Sequence, residues 1–316
     1  MTPLPLIKGM LTFIPGVAAL LPNRPGHTGS GAYCYNVWMK HMTLLHAHGL
    51  PAVPDTVAEL GPGESLGVGL AALLSGANHY VGLDVSPNIN TTENLRILDE
   101  LTALFAQRAP RPEKGWPDFD EHLDAGLFPG HILTAELLSR TLHPARIERI
   151  RKALMGKPDS AKPDSDTAIT IEYRAPWSDP AVIAPDSVDL IMSHSVLEHV
   201  VDLPDTYAAL YAWLKPGGWM SHQIDFKSHG LSKAWNGYRA YSTLTWKLMM
   251  GKRLFMINQA PRSVHQQLLR AAGFRVVSEL EYHRDDGIQR AQLAQRWSDI
   301  SDEDLSCSGL FVVARK

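Results

Sequence analysis

The sequence predicts an α/β fold with a doubly wound, seven-stranded, mostly parallel sheet. Two observations carry this prediction. Short apolar segments alternate with helical patterns along most of the chain, and the first of them ends in a glycine-rich turn that leads into a helix and a second strand. Strand, tight turn, helix and strand form one βαβ unit, which implies parallel pairing because the crossover returns the chain to the same end of the sheet.

The same alternation gives the order of the elements. Strands are predicted over 56–60, 79–84, 168–173, 187–193, 219–226, 274–282 and 308–314. Helices are predicted over 33–50, 65–75, 203–214 and 261–272. The last of these has proline near its start and Gly273 just past its end, which is the usual placement of both residues at helix termini.

Two segments fall outside this alternation. Residues 1–50 combine an apolar stretch, a stretch rich in Gly and Pro, and a helical pattern. We expect them to form a helical lid that precedes the main domain, residues 51–316. Prolines break the first half of 104–165, and a helical pattern with a break at Pro144 follows. We expect this second segment to be an inserted helical cap between the second and third strands.

Composition excludes several classes of protein. The chain is 45% hydrophobic and 20% charged, which suits a large core and excludes a mainly disordered chain. The net charge of −3 lacks the basic surplus of proteins that bind nucleic acid, so no nucleic-acid partner is expected. Cys34 and Cys307 form no disulfide or zinc pattern, and a cytoplasmic setting is expected.

The apolar stretch near the N-terminus does not suit a membrane span. It runs from Leu4 to Leu21 and is interrupted by Lys8 and by two prolines. A span needs about 20 apolar residues with few charges. We therefore expect a helix docked on the domain and no stable membrane insertion, with loose contact to a membrane surface as the alternative.

The glycine turn Glu59-Leu60-Gly61-Pro62-Gly63 is the first candidate ligand site. Glycines let the backbone pass close to a ligand at the end of the first strand. A dinucleotide would want a third glycine where Leu66 stands, and the carboxylates of Glu59 and Glu64 would repel its pyrophosphate. S-adenosylmethionine has no phosphate, and its ammonium and sulfonium charges suit Glu59. A plain tight turn is the alternative.

Asp84, at the end of the second predicted strand, is the second candidate. An acid at this point can accept hydrogen bonds from both hydroxyls of an adenosine ribose. This contact is common to dinucleotide and S-adenosylmethionine sites. The alternative is an aspartate that begins a turn with Ser86 and Pro87.

Four segments in this order carry a family resemblance. They are Glu59-Leu60-Gly61-Pro62-Gly63, Gly82-Leu83-Asp84, the stretch 187–199, and Leu214-Lys215-Pro216-Gly217-Gly218. They resemble the motifs of class I S-adenosylmethionine-dependent methyltransferases over most of residues 56–226. The resemblance implies a Rossmann-like sheet whose last strand is antiparallel, and S-adenosylmethionine as the cofactor.

The resemblance also implies roles by position. Glu59, Gly61 and Gly63 would hold the methionine end of the cofactor, Asp84 its ribose, Ala175 to Trp177 its adenine, and Ser193 with His194 the floor near the methyl group. The chain departs from the family at Arg174 and Ala175, where many relatives have an acid that binds the adenine amine. This departure puts the adenine contacts in doubt.

Histidines cluster near the predicted pocket. They are His194, His199, His222 and His229, and Asp225 lies among them. A hydroxyl acceptor needs a base, so we predict His194 as the first candidate, His229 as the second, and Asp225 as the orienting group. The alternative is that all three are structural and that proximity drives the transfer. No spacing demands a metal, and none is predicted.

The sequence thus predicts a methyltransferase that acts on a small-molecule or glycan acceptor, with O-methylation favoured. An NAD(P)-binding oxidoreductase and a non-catalytic cofactor-binding module are the alternatives. The insertion and residues 225–261 would shape the acceptor site, and the aromatic residues of the latter stretch are a candidate acceptor wall: Trp235, Tyr238, Tyr241 and Trp246. The earlier aromatic residues Tyr33, Tyr35 and Trp38 are predicted to be core, with an aromatic wall beside the sulfonium as the alternative, and the same choice applies to the later stretch.

Overall fold

The computed structural model describes residues 3–17, 28–110, 127–157, 168–177, 179–253 and 255–316. Its strands are β1 (Thr56–Leu60), β2 (His79–Leu83), β3 (Thr170–Arg174), β4 (Val188–His194), β5 (Leu214–Asp225), β6 (Arg275–His283) and β7 (Cys307–Arg315). Its helices are α1 (Pro3–Leu11), α2 (Gly31–Ala47), α3 (Gly67–Ser75), α4 (Thr91–Ala106), α5 (Ala135–Thr141), α6 (Pro144–Leu154), α7 (Leu203–Trp213), α8 (Thr243–Met250), α9 (Arg262–Ala272) and α10 (Asp302–Ser306).

The seven strands form one sheet in the order β3-β2-β1-β4-β5-β7-β6. The pairs from β3 to β5 are parallel, and β7 runs antiparallel to both β5 and β6. The predicted fold class is therefore confirmed. The chain reverses its direction of winding between β1 and β4, and ligands of such sheets bind outside the carboxyl ends of the strands at this switch point. We call this edge of the sheet the carboxyl edge.

Helices cover both faces of the sheet. On one face α2, α3 and α4 pack against inward side chains such as Val57, Leu190 and Met192. On the other face α7 and α9 pack against the alternate residues, such as Ala58 and Ile191. Each fully buried aliphatic side chain stabilises the fold by about 1.5–3 kcal/mol, so these two layers hold the carboxyl edge in a fixed geometry.

The predicted lid segment consists of two differently packed parts. Tyr35, Trp38 and Met42 of α2 are fully buried, and the indole nitrogen of Trp38 donates to Ser75 Oγ at 2.7 Å, so α2 belongs to the main core. In contrast α1 packs on α8, where Gly9 lies directly against the backbone of Met249. The lid function of residues 1–50 stays a prediction. No helix within the described ranges is long and apolar enough to cross a membrane.

The described part of the inserted segment lies away from the carboxyl edge. Its helices α5 and α6 pack against α3, α4 and β3. The buried guanidinium of Arg146 donates to the carbonyls of Leu73 and Ala77 and to Asn78 Oδ1, all of which precede β2. This anchors α6 at the amino edge of the sheet. The expectation that the insertion shapes the acceptor site is therefore not met by these residues, and 111–126 and 158–167 lie outside the described residues.

The candidate aromatic wall is a small core of its own. Tyr238, Tyr241 and Trp246 are buried together with Met249 of α8. The hydroxyl of Tyr238 donates to the Phe226 carbonyl at 3.1 Å. Trp235 is also buried, with 8% of its surface exposed. Of the two interpretations of these rings, core and acceptor wall, the structure therefore supports the core, because they pack in the stretch between β5 and α9 around α8.

Gly69 of α3 provides a test of the packing between α3 and the sheet. A Cβ at this position would lie 2.2 Å from ring atoms of Tyr80 in β2. In an open helix, Gly→Ala stabilises by about 1 kcal/mol. Here we expect Gly69→Ala to lower the free energy of unfolding by about 1–3 kcal/mol, measured by urea denaturation, because the core is overpacked.

A matched control separates packing from helix propensity. Ala208 is an exposed residue of α7, and Ala208→Gly should cost only the ordinary propensity difference of about 1 kcal/mol. A gain of stability in Gly69→Ala would contradict the close packing of α3 on Tyr80.

Candidate functional site

The glycine turn after β1 contacts the ends of two other strands. Gly61 and Gly63 have φ angles of +63° and +79°, in the left-handed region that favours glycine. A Cβ at Gly61 would lie 2.6 Å from a methyl of Val196, which follows β4. The Gly61 amide also donates to the carbonyl of Leu83, the last residue of β2, at 2.7 Å. The turn therefore brings the ends of β1, β2 and β4 together at the switch point.

Asp84 lies directly after β2 and faces the glycine turn. Its side chain is buried, with Oδ1 accepting from the Val85 amide at 2.7 Å and Oδ2 accepting from the Gly63 amide at 3.3 Å. Burial raises its pKa, while these backbone hydrogen bonds oppose the rise. The predicted ribose-binding acid thus lies beside the turn, and it also has the turn-forming role that was the alternative.

Glu59, the last residue but one of β1, lies beneath the turn. Its carboxylate is buried and Oε2 accepts a hydrogen bond from the Tyr80 hydroxyl at 2.5 Å. Burial raises the pKa of Glu59 to about 7, the Tyr80 hydrogen bond lowers it, and the charge of Asp84 adds to the rise. Glu59 is therefore partly protonated near neutral pH, and a cation placed nearby would favour its ionised form.

The residues predicted to contact adenine follow β3. The Trp177 amide donates to the Asp84 carbonyl at 3.1 Å, and the Asp84 amide donates to the Arg174 carbonyl at 3.0 Å. The Trp177 ring meets Trp213 of α7 edge to face, with 5.4 Å between ring centroids. Ala175 and Trp177 are both half-buried. This loop therefore lies next to Asp84, on the side of the site away from β4.

Ser193 has its side chain turned into the layer of α7 and α9. Its buried hydroxyl is hydrogen-bonded to Nδ1 of His222 at 2.7 Å. Burial, and then the neighbouring His265, lowers the pKa of His222 to about 3, so this imidazole is neutral. A role of Ser193 in the floor of the pocket stays a prediction, since its side chain is already engaged.

His194 ends β4 on the opposite face of the sheet and has an imidazole partner. Its Nδ1 lies 3.2 Å from Nε2 of His41 in α2, and Nδ1 of His41 lies 2.7 Å from the Ser221 hydroxyl in β5. The predicted orienting group for His194, Asp225, is replaced by His41. Burial, and then the charge of Lys40, lowers the pKa of His194 to about 3 rather than leaving it near neutral.

Sequence reasoning missed His41 and Ser221. The signal for His41 was present, since Lys40 and His41 are adjacent polar residues in the middle of a mostly apolar helix. Both are buried in α2. For Ser221 no local signal existed, because its importance depends only on its being opposite a helix far away in sequence.

A second polar cluster lies beyond the carboxyl ends of β4 and β5. His229 Nε2 is 3.6 Å from Asp225 Oδ2 and 3.9 Å from Glu198 Oε1. The rings of His199 and His229 meet edge to face at 5.1 Å. Asp225 also contacts the Lys227 ammonium at 3.3 Å. The structure thus pairs Asp225 with His229, and it adds Glu198, which sequence reasoning did not single out.

Burial dominates the ionisation of this cluster. It raises the pKa of Glu198 well above the ordinary value, and the charge of Asp225 adds to the rise, while nearby backbone amides and Lys227 oppose it. Burial likewise raises the pKa of Asp225 and lowers that of His229. It lowers the pKa of His199 to about 4.

Tyr33, near the start of α2, contacts the imidazole that ends β4. Its ring meets His194 edge to face, with 6.3 Å between centroids. Tyr33 is 37% exposed, so the prediction that it belongs to the core is wrong, whereas Tyr35 and Trp38 are buried as predicted.

With this geometry established, comparison with known sequences identifies the class. The sequence profile of a family described as a methyltransferase domain matches residues 49–279, which is well over half of the chain. The chain belongs to this family. It is an S-adenosylmethionine-dependent methyltransferase with the class I fold, and S-adenosylmethionine is its cofactor. The oxidoreductase alternative is thereby disfavoured.

The chain is also similar to solved structures of methyltransferases. An S-adenosylmethionine-dependent methyltransferase from Mesorhizobium loti is 18% identical, with 86% of this chain and 96% of that chain covered and a TM-score of 0.40. One from Methanosarcina mazei is 11% identical, with 86% and 96% covered and a TM-score of 0.42. Phosphoethanolamine N-methyltransferase 2 from Haemonchus contortus, in complex with S-adenosylmethionine, is 14% identical, with 92% and 57% covered and a TM-score of 0.42. No curated protein sequence matches the chain.

The raised pKa of Glu59 predicts a pH-dependent stability. The carboxyl has a pKa of about 7 in the folded protein and about 4.5 as its ordinary value. Between these values the unfolded chain ionises first, so the folded state binds more protons and the free energy of unfolding falls as pH rises. We expect this group to cost about 3 kcal/mol of stability between pH 4.5 and 7.

Urea denaturation at pH 5 and pH 8 measures this effect. Glu59→Gln keeps the shape and removes the titration, so its free energy of unfolding should fall by less than that of the wild type between the two pH values. Equal pH dependence in both proteins would show that Glu59 is not the titrating group.

Proposed function

We propose that this methyltransferase transfers the methyl group of S-adenosylmethionine to a hydroxyl oxygen of a small-molecule or glycan acceptor. The observation that supports this proposal is the environment of His194. A neutral imidazole stands at the carboxyl end of β4, with its Nδ1 held by His41. Within the described ranges no hydrogen bond engages its Nε2, so this nitrogen is available to an acceptor hydroxyl.

The cofactor is proposed to lie across the switch point. Glu59, Gly61 and Gly63 would bind its methionine end, because the turn lets the backbone approach closely and the acid complements the ammonium. Asp84 would accept hydrogen bonds from the ribose hydroxyls, and Ala175 and Trp177 would lie against adenine. The adjacency of Asp84 to the turn and to Trp177 supports this order.

The link between Ser221, His41 and His194 has two hydrogen-bonding arrangements. In one, His194 Nδ1 donates to His41 Nε2, His41 Nδ1 donates to the Ser221 hydroxyl, and His194 Nε2 is a free acceptor. In the other, each donor and acceptor is exchanged and His194 Nε2 carries the proton. The first arrangement presents an unprotonated Nε2 to an acceptor hydroxyl, and desolvation disfavours a charge on either imidazole.

The proposed methyl transfer is a single displacement step. The acceptor oxygen forms a bond to the methyl carbon as the bond from that carbon to sulfur breaks. The electron pair of the broken bond stays on sulfur, which gives neutral S-adenosylhomocysteine. The hydroxyl proton passes to His194 Nε2. The in-line geometry makes positioning the largest contribution, and effects of this kind reach about 7–11 kcal/mol.

The acceptor class is proposed from charge. The chain has a net charge of −3 and lacks the basic surplus that a polynucleotide acceptor would favour. A small neutral or hydroxyl-rich molecule suits this environment better than a polyanion does.

Asp84 gives a test of the cofactor site. Asp84→Asn keeps the size of the side chain and removes the charge that would accept hydrogen bonds from ribose, each worth about 1.5–3 kcal/mol. We expect S-adenosylmethionine to bind roughly 10- to 100-fold more weakly by calorimetry. Asp205→Asn, in the exposed first turn of α7, is the matched control and should bind as the wild type does. Equal affinity in all three proteins would refute the assignment.

His194 gives a test of the proposed base. The acceptor is first identified by incubating the protein with methyl-labelled S-adenosylmethionine and a cell extract. In single-turnover methylation of that acceptor, His194→Ala should be roughly 100- to 10,000-fold slower, the usual contribution of a general base. His131→Ala, on an exposed residue of the insertion, is the control. A rate within a few-fold of wild type in a His194→Ala protein that still binds cofactor would leave positioning as the whole mechanism.

A further inference from the structure

The second polar cluster contains a buried carboxylate without a proper partner. Glu198 is 2% exposed, and neither of its carboxylate oxygens has a hydrogen bond of normal length and angle within the described part of the chain. Burial of a carboxylate is costly unless it is paired or binds a metal. Nδ1 of the neighbouring His199 is also buried and without a hydrogen-bond partner. A cation bound between Glu198 and His199 would satisfy both groups.

We propose that Glu198, His199 and His229 bind one divalent transition-metal ion. A donor atom from each of the three lies within 4.8 Å of the other two. His229 Nε2 is 3.9 Å from Glu198 Oε1. Two ligands that share an ion at about 2.0–2.2 Å are about 3–4 Å apart, so the observed distance already fits.

The backbone holds two of these ligands in place. Glu198 and His199 lie in a single 3-10 turn, Leu197–His199, that follows β4. Asn258 fastens this turn, since its amide donates to the Glu198 carbonyl at 2.6 Å and its side-chain nitrogen donates to the Leu197 carbonyl at 2.7 Å. A ligand set that is fixed before the ion arrives loses less entropy on binding.

His229 is placed by an unusual conformation. Its φ of +46° lies in the left-handed region, which residues other than glycine rarely adopt, and Gly230 follows with +79°. Asp225 stands 3.6 Å from its Nε2 and is already paired with the Lys227 amide at 2.7 Å and the Lys227 ammonium at 3.3 Å. Asp225 is therefore already engaged by Lys227, and the proposed ligands are the other three groups.

The donor set selects the class of ion. Two imidazoles and one carboxylate suit zinc, manganese, iron or cobalt, whereas calcium and magnesium prefer oxygen donors throughout. Three protein ligands leave at least one coordination position for water or for an acceptor oxygen. This arrangement is typical of a metal that acts on a substrate.

A second group of potential metal ligands provides a comparison with the Glu198 cluster. Glu281, His283 and Cys307 also lie within 4.8 Å of one another. There, however, Glu281 pairs with Arg262 and accepts from His283 Nε2 at 2.9 Å, and His283 Nδ1 is bonded to Ser306 at 2.9 Å. These groups satisfy each other without an ion. The unsatisfied Glu198 and His199 mark the first cluster as the site.

The role of the ion rests on the proposed function. A hydroxyl acceptor bound at its open position would have a lowered pKa, which makes loss of the proton to His194 easier. His229 then serves as a metal ligand instead of the second candidate base. The sequence prediction of a site without a metal would be replaced.

The experiment uses full-length protein without an affinity tag, stripped of metal and titrated with Co²⁺. We expect one bound ion per chain and the visible absorption bands of a protein-bound cobalt centre. His229→Ala should weaken binding by more than the roughly 10- to 100-fold that loss of an outer-shell partner costs. Glu198→Gln should do the same, while the matched control His283→Ala should bind Co²⁺ like the wild type.

Several outcomes would overturn the metal site. They are the absence of Co²⁺ binding in the wild type, unchanged binding in His229→Ala, and loss of binding in His283→Ala. If Glu198→Gln fails to fold, His229→Ala still tests the metal site. The ring of His229 is partly exposed, and S-adenosylmethionine calorimetry checks that the His229→Ala protein is folded. Ion binding in a protein that methylates no hydroxyl acceptor would support the site and contradict only the acceptor assignment.

Discussion

The close approach of the glycine turn to the loop after β4 is the constraint on which the site depends. At Gly61 a single added carbon would overlap the side chain of Val196. Because Gly61 has no side chain, the end of β4 can lie directly on the turn that ends β1. The glycine turn and the polar residues that follow β4 are thereby placed side by side. Any side chain at this position would separate them and widen the switch point.

Burial under α2 then decides the chemistry of the site. This helix is part of the main core, and it brings Lys40 and His41 into a low-dielectric layer above β4 and β5. Desolvation disfavours charge there, so the imidazoles of His41 and His194 are neutral. The same cause keeps Glu59 partly protonated until a cation approaches. Burial therefore has two effects. It keeps the imidazole of His194 neutral, and it leaves Glu59 a carboxyl group that ionises when a cation binds nearby.

The sequence predicts the frame of the molecule more completely than its site. Alternating apolar segments and the glycine turn are local signals, and they located all seven strands to within a few residues. The largest difference is β5, which begins at Leu214 instead of Trp219. Its register with β4 shifts between Val188 and Leu190, and Gly217 and Gly218 pair with the C-terminal Lys316. The segment Lys215-Pro216-Gly217-Gly218, which the sequence predicts to be a turn, therefore forms the first part of β5.

The sequence does not predict the partners of the polar residues, because these partners depend on contacts between distant parts of the chain. His41 and His194 are separated by 153 positions, and no periodicity relates them. The aromatic residues from 235 to 246 have the composition of a binding wall, yet they are buried because the stretch between β5 and α9 needs a core around α8. Composition alone does not distinguish a binding surface from a core here, because the burial of these rings depends on their packing around α8.

The end of β4 shows how one short segment can serve several parts of a site. Ser193 turns to His222 on one face of the sheet, and His194 turns to His41 on the other, because successive residues of a strand point to opposite faces. Val196 then packs on the glycine turn, and Glu198 lies against His229. Within six residues the segment thus contacts His222, His41, the glycine turn and the second polar cluster. A shift of register by one residue would exchange the faces of Ser193 and His194, so the pairing of β4 with β1 and β5 fixes the chemistry as well as the fold.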